Sequence, residues 1–567
     1  MQRRIRILTL FAVCFLVVLC LAGLYYTKIT SAQLQPFPKT LSPELPYDVD
    51  AARITGEMDK VHPQEGGDYS PKDADLVIKA QRDFDILSWQ AFLALNWPQQ
   101  SYGVPQASLD STAGEPLWSY WVPIDKIFLP NGAKPAWNQA QQVKDVAANG
   151  IPLNMTKAAW RQEASATDNF QAFSGPLVDQ NGKWARYEAM VDPEEYEYIV
   201  QNTLYSIDGQ IAFSNRDTKD NGVDFPINVG KTKRGAIEIK LSWKELGAND
   251  DRSRFYTKKV CIVRSEPPTN TPAQCQTIDA GLVGMHISMR TESSPEWIWS
   301  TFEQIDNVRQ NPIDHGGLSH ANFMNPDSKD APNVLAPKNA DCTNGANCES
   351  WFENLTTTPV QTTRVVVPLQ KGLNPLDDKI GAEVKDLNKQ VQALLRDQKS
   401  VFQYYELIGT QWPLHRFAPA YAGGQGTAPE SITHKMPGDM VPVFLVNTTM
   451  ETFFQEGAQN AGCVEQDDRM PDNCVADTTP VVATESCVGC HYSAGIATGW
   501  KHNVDGTVVT VNGVKQPVYG IDGHFGRSGH GEFSWMLQIE TSKQNVSPEE
   551  STPVRKHFSL KSPNRQP

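Results

Sequence analysis

Cys487-Val-Gly-Cys490-His491 sets two thiols two residues apart, with an imidazole directly after the second. Each thiol at that spacing can add across one vinyl group of a porphyrin, which leaves the imidazole beneath the iron. The chemistry specified is covalent attachment of one haem c, with Cys487 and Cys490 as the thioethers and His491 as the proximal axial ligand. The plainer alternatives are a disulfide or a zinc site completed by Cys463 and Cys474, but a histidine directly after the second thiol argues against zinc.

Function depends on the other face of such an iron. A methionine or histidine there favours electron exchange, whereas an open position admits peroxide or oxygen. Met536 follows Cys490 at a spacing from which a methionine can reach back, and is the first candidate for sixth ligand. His530 and His524, in the Gly-rich stretch Gly523–Gly531, are the alternatives, and an open site is a further one. Three functions follow as expectations. One is electron transfer to a redox partner protein or a small-molecule substrate, another a peroxidase-like or oxygen-activating enzyme, and the third a non-catalytic haem-based sensor. Asp314, His315 and His320 match no strong metal template. His286, in an apolar strand, reads as a hydrogen-bonded core histidine. No phosphate loop, dinucleotide fingerprint or nucleophile elbow is present.

Haem c is attached outside the inner membrane, so the motif needs an export signal. Arg3, Arg4 and Arg6 precede an uncharged apolar run from Leu8 to Tyr26, about a bilayer's thickness as a helix. The positive end stays in the cytoplasm and the rest is exported, which predicts a single N-terminal membrane anchor on the periplasmic side, or a periplasmic protein if the chain is cut after Ala32. Outside that run and the motif, six cysteines fall in close pairs, Cys261/Cys275, Cys342/Cys348 and Cys463/Cys474, as local disulfides in an oxidising compartment would. Fifteen connectivities are formally possible. A net charge of −14 without a Lys/Arg run beyond the N-terminus argues against a nucleic-acid partner.

The remaining chain must position the motif. Residues 1–32 read as anchor or signal and 33–69 as a Pro-rich tether. Ser70-Pro71-Lys72-Asp73 is a capped helix start, followed by Leu76, Ala80, Phe84, Leu87, Ala91 and Ala94 on one face. From Trp118 to Arg290 strands are expected, most clearly at 235–244, where Ile237, Ile239, Leu241 and Trp243 alternate with polar residues, and also at 196–207, 255–263 and 281–289. A helix is predicted from Glu296 to Asp306, strands at 363–369 and 401–408, and a helix through Ile380, Val384, Leu387, Val391 and Leu394. Asn512-Gly513 marks a hairpin, and Phe533, Met536 and Leu537 a short helix over 532–540. The fold class expected is α+β: a large mixed domain over 70–439, then a C-terminal, mainly helical haem segment with a β-hairpin over 440–541, and a disordered tail over 542–567.

Cys487–His491 resembles c-type cytochromes over at most the C-terminal fifth of the chain. Trp89–Trp97 and His286–Asn307 resemble segments of a large, poorly characterised bacterial group of exported, mono-haem cytochrome c family proteins, a likeness that would extend over most of the chain. The resemblance implies one covalent haem c and roles for Cys487, Cys490 and His491 alone. It implies no particular reaction.

Overall fold

The computed structural model describes residues 34–50, 54, 58, 61, 69–149, 177–216, 222–262, 276–308, 321–323, 375–414, 440–442, 445–452, 487, 491, 494–511, 513–520 and 534–542. The class is α+β, as expected. Helix α1 spans Pro71–Leu95, with the Ser70 hydroxyl accepting from the Asp73 N–H and Pro71 in its first turn. Strands β1 (Val122–Pro123) and β2 (Arg186–Val191) are followed by helices α2 (Pro193–Gln201) and α3 (Ile207–Ser214). Then come β3 (Ile237–Glu245), β4 (Thr257–Ile262), β5 (Gln276–Met289) and β6 (Ile298–Gln304). Helix α4 (Pro375–Asp397), β7 (Tyr405–Pro413) and β8 (Met440–Val441) complete the large body. The C-terminal part adds β9 (Ala497–Trp500), the hairpin β10 (Thr510–Val511) and β11 (Val514–Lys515), β12 (Pro517–Tyr519) and helix α5 (Trp535–Ser542).

An eight-stranded antiparallel sheet runs in the order β8-β7-β6-β5-β3-β2-β1, and β4 pairs with the start of β5. Alternation along β3 decides its two faces. Ile237, Ile239, Leu241 and Trp243 join Met285, Ile287, Met289, Ile298 and Phe302 in one core under α1 and α4. Trp89 Nε1 and the Leu407 N–H both donate to Asn388 Oδ1, which ties α1, α4 and β7 together. The opposite face is polar and is covered by α2, α3 and C-terminal residues. A second core there joins Val122, Val191, Ile199, Phe213, Phe225, Trp297 and Trp299 to Ile496 and Leu537.

Four expectations are corrected. Residues 34–50 are no free tether: Phe37, Leu41, Leu45 and Val49, spaced by four, are buried in the main core, and the Arg234 guanidinium donates to the Leu45 and Pro46 carbonyls. The first half of the strand expected over 196–207 is helix α2 and the rest is a turn leading into α3, because Asp192 caps Pro193 and accepts from the Glu195 N–H. The helix expected over 296–306 is strand β6, buried on both faces and lined with aromatic and β-branched residues that suit a sheet. The segment from 440 is also not separate, since β8 pairs with β7 and residues 445–452 lie on the sheet. Its described residues hold more strand than a mainly helical segment would.

Smaller shifts occur at 401–404, a 3₁₀ turn before β7, and at α5, which starts three residues later than expected. The Asn512-Gly513 hairpin is present, with Gly513 at φ 79°. No described helix is long and apolar enough to cross a membrane. The apolar run 8–26, the strand expected at 363–369, the tail after 542 and the residues Asp314, His315 and His320 lie outside the described residues, as does the pairing of the six local cysteines.

Candidate metal centre

The site is built on the polar face of the sheet. Register sets Glu238, Lys240 and Ser242 of β3 opposite Ser288, His286 and Gly284 of β5, which in turn face Trp299, Thr301 and Glu303 of β6. The turn 447–449 packs directly on Gly284, where a Cβ would lie 2.5 Å from Thr449 Oγ1. Asn447 Nδ2 donates to Thr301 Oγ1 (2.8 Å) and the Phe302 carbonyl (3.0 Å), and the Thr448 N–H donates to Glu303 Oε1 (2.7 Å). His286 Nε2 lies 2.9 Å from Glu451 Oε1, whose other oxygen accepts from the Asn447 N–H at 2.7 Å. His286 is hydrogen-bonded, as its strand suggested, but it lies half-buried on the polar face and not in a core, and it holds 445–452 to the sheet. At the start of that segment the Leu445 carbonyl accepts from the Cys487 thiol at 3.6 Å.

Cys487 and His491 are both in helical conformation and half-buried. The Cys487 thiol is not in a disulfide. The His491 ring lies on Trp299, centroids 4.6 Å apart and planes at 52°. Trp299 is followed by Trp297 at 5.9 Å and Phe225 at a further 5.9 Å. Trp297 holds φ 73°, a left-handed backbone that an indole side chain rarely adopts and that costs about 1–3 kcal/mol. Ser294 Oγ donates to its carbonyl, and the ring is buried in the second core. Cys487 and Met536, both half-buried, border that same core. Of the sequence candidates, the structure places Cys487, His491 and Met536 around one aromatic cluster, while Cys490, His524 and His530 lie outside the described residues.

Charge around the site is mostly buried carboxyl. Burial pushes the Glu303 carboxyl up to about 7, against the hydrogen bonds from Thr448 and Asn307. Burial raises Glu451 too, but His286, Lys240 and the Asn447 N–H together outweigh it and hold the carboxyl below its ordinary value. Glu195 and Glu238 meet carboxyl to carboxyl, and burial raises both. Sequence reading missed Trp299, Glu195 and Glu238. Glu238 stood on the polar side of an alternating strand, where solvent is the default neighbour, and Trp299 lay in a segment read as helix.

The residues present suit haem c. They supply a half-buried thiol and a half-buried imidazole, the ring against Trp299 and the thiol against the same hydrophobic core. A haem c takes a thiol for each thioether and an imidazole for its iron. Cys487 would carry one thioether and His491 the iron. No cluster of three or more His, Cys, Asp or Glu side chains suited to a metal ion occurs among the described residues. No family model matches the chain, and no curated protein or solved structure is similar to it.

Proposed function

We propose that the chain is an exported mono-haem c-type cytochrome that transfers electrons, with Cys487 and Cys490 as thioethers and His491 as proximal ligand. The observation that supports this reading is the His491 imidazole seated on Trp299, with the Cys487 thiol packed against the same hydrophobic core. A bound haem supplies one-electron exchange. The protein's own residues do the positioning. The Leu445 carbonyl orients the Cys487 thiol before attachment, and the His286–Glu451 clasp fixes the turn that presents that carbonyl. Trp299 limits the tilt of the His491 ring and keeps water from one side of it. Met536, on the border of the same core, is the proposed sixth ligand, with His530 and His524 as alternatives. The partner is a redox protein or a small molecule, reached on the periplasmic side of the inner membrane through the N-terminal anchor.

Optical and paramagnetic-resonance spectra of the exported protein, with and without peroxide, test the reading. Six-coordinate, low-spin iron that ignores peroxide and loses its methionine charge-transfer band in Met536→Leu is the expected result. High-spin ferric iron that shifts with peroxide would replace electron transfer with an enzyme acting at the haem.

A further inference from the structure

Two acids meet beside the proposed redox centre, Glu195 fully buried and Glu238 half-buried. Glu195, in the first turn of α2, is 0% exposed, and neither of its carboxyl oxygens receives a hydrogen bond from an N–H or hydroxyl donor among the described residues. Its carboxyl meets that of Glu238 on β3. Contact between two carboxyls is attractive when one oxygen carries a hydrogen, because two carboxylates repel. A proton shared between the two oxygens satisfies that contact.

A third group points at the same place. Ser534 Oγ, on a residue 1% exposed, stands beside the Glu238 carboxyl. A hydroxyl can donate to a carboxylate or accept from a carboxylic acid, so it suits either protonation state. The remaining charged neighbours leave the pair poised. Asp192, at the cap of α2, opposes further ionisation. Arg290 at the end of β5 favours it, but its guanidinium is already bound to Asp224, the Pro295 carbonyl and the Phe225 carbonyl.

Position links the pair to the metal centre. Glu238 pairs with Ser288, and Ser288 with Trp299, on one face of the sheet, so about two strand spacings, roughly 10 Å, separate Glu238 from the indole under His491. The intervening material is protein interior, where a unit charge is felt further than in water. We infer that Glu195 and Glu238 form a proton-binding site that takes up a proton when the neighbouring centre gains an electron, an inference that rests on the cytochrome reading. One electron enters the haem from an external one-electron donor. One proton passes from water to a carboxylate oxygen of the pair, which goes from one bound proton to two. Reoxidation returns both.

The test uses the full-length, haem-loaded protein. Its midpoint potential falls with rising pH, with a limiting slope of about 59 mV per pH unit for one proton per electron. Glu238→Gln and Glu195→Gln each keep a hydrogen-bonding amide and reduce that slope at least threefold. The infrared redox difference spectrum of the native chain carries a protonated-carboxyl band that Glu238→Gln removes. A pH-independent potential, a slope that survives both substitutions, or native spectra without that band overturns the inference, and the last needs no variant to fold. A preparation lacking haem overturns the cytochrome reading itself, whereas a haem-loaded protein with a flat pH profile overturns only the proton site.

Discussion

The imidazole of His491 rests on the indole of Trp299, with ring centroids 4.6 Å apart. Trp299 belongs to β6 and is 4% exposed, so the sheet sets where this imidazole, the proposed proximal ligand, can sit. Replacing it with leucine removes the aromatic floor and leaves the imidazole free to rotate. Trp299→Leu is expected to cost about 3 kcal/mol of stability from the lost ring. In the folded fraction it broadens the low-spin resonance signals of the iron. Unchanged ligand-field parameters in the variant would show that Trp299 is only core.

His286 and Glu451 join the sheet to the turn that leads to the haem motif. The Glu451 carboxyl is held below its ordinary value, so its contribution is fully present above that ordinary value and is lost as pH falls through the lower folded one. Glu451→Gln should destabilise the protein by about 1–3 kcal/mol at neutral pH and lose part of the acid sensitivity of the native chain. Urea unfolding at several pH values measures both. Identical acid profiles for the two proteins would count against the clasp.

Asp85 runs the other way. It is fully buried on α1, Gln81 Nε2 donates to its Oδ1 at 2.9 Å, and burial pushes its carboxyl up to about 7. A raised value gives stability that is complete below the ordinary aspartate range and is lost as pH rises through about 7. Asp85→Asn is neutral at every pH and can still accept from Gln81. It should exceed the native chain by about 2–4 kcal/mol at pH 8, with the gain disappearing in acid. A gain of the same size at both ends of the pH range would contradict this.

Lys244 is buried at the end of β3, its Nζ 2.7 Å from Asp250 and 3.7 Å from Asp179. Removing only the cation strands two buried acids. Lys244→Met is therefore expected to cost about 3–5 kcal/mol, which calorimetry or chemical unfolding would read. Adding Asp250→Asn should recover part of that loss. No recovery would mean that the lysine acts through its alkyl chain alone.

Local signals carried much of the fold. Ser70-Pro71 fixed the start of α1, Asn512-Gly513 the hairpin, and the alternation from Ile237 to Trp243 the two faces of β3. The failures came where local and tertiary preferences diverge. Ser294-Pro295-Glu296 imitates a helix cap, yet β6 is buried on both faces and so lacks the alternation that identifies a strand. Phe37, Leu41, Leu45 and Val49 sit among prolines, and nothing local announces that a main core will receive them. The proposed haem motif is read from sequence alone, because the chemistry it specifies is contained in five consecutive residues. Its surroundings are not legible in this way, since Trp299 stands 192 positions before His491, and Glu195 and Glu238 come from a helix and a strand on either side of a long excursion.

The most direct test of the central claim is the intact mass and denaturing-gel haem stain of the chain produced with export and haem-attachment machinery. The account predicts a mass increase of one haem, staining that survives boiling, and loss of that staining when Cys487 and Cys490 are both replaced by serine. An unmodified mass, with Cys487 open to alkylation and no bound haem, would contradict it.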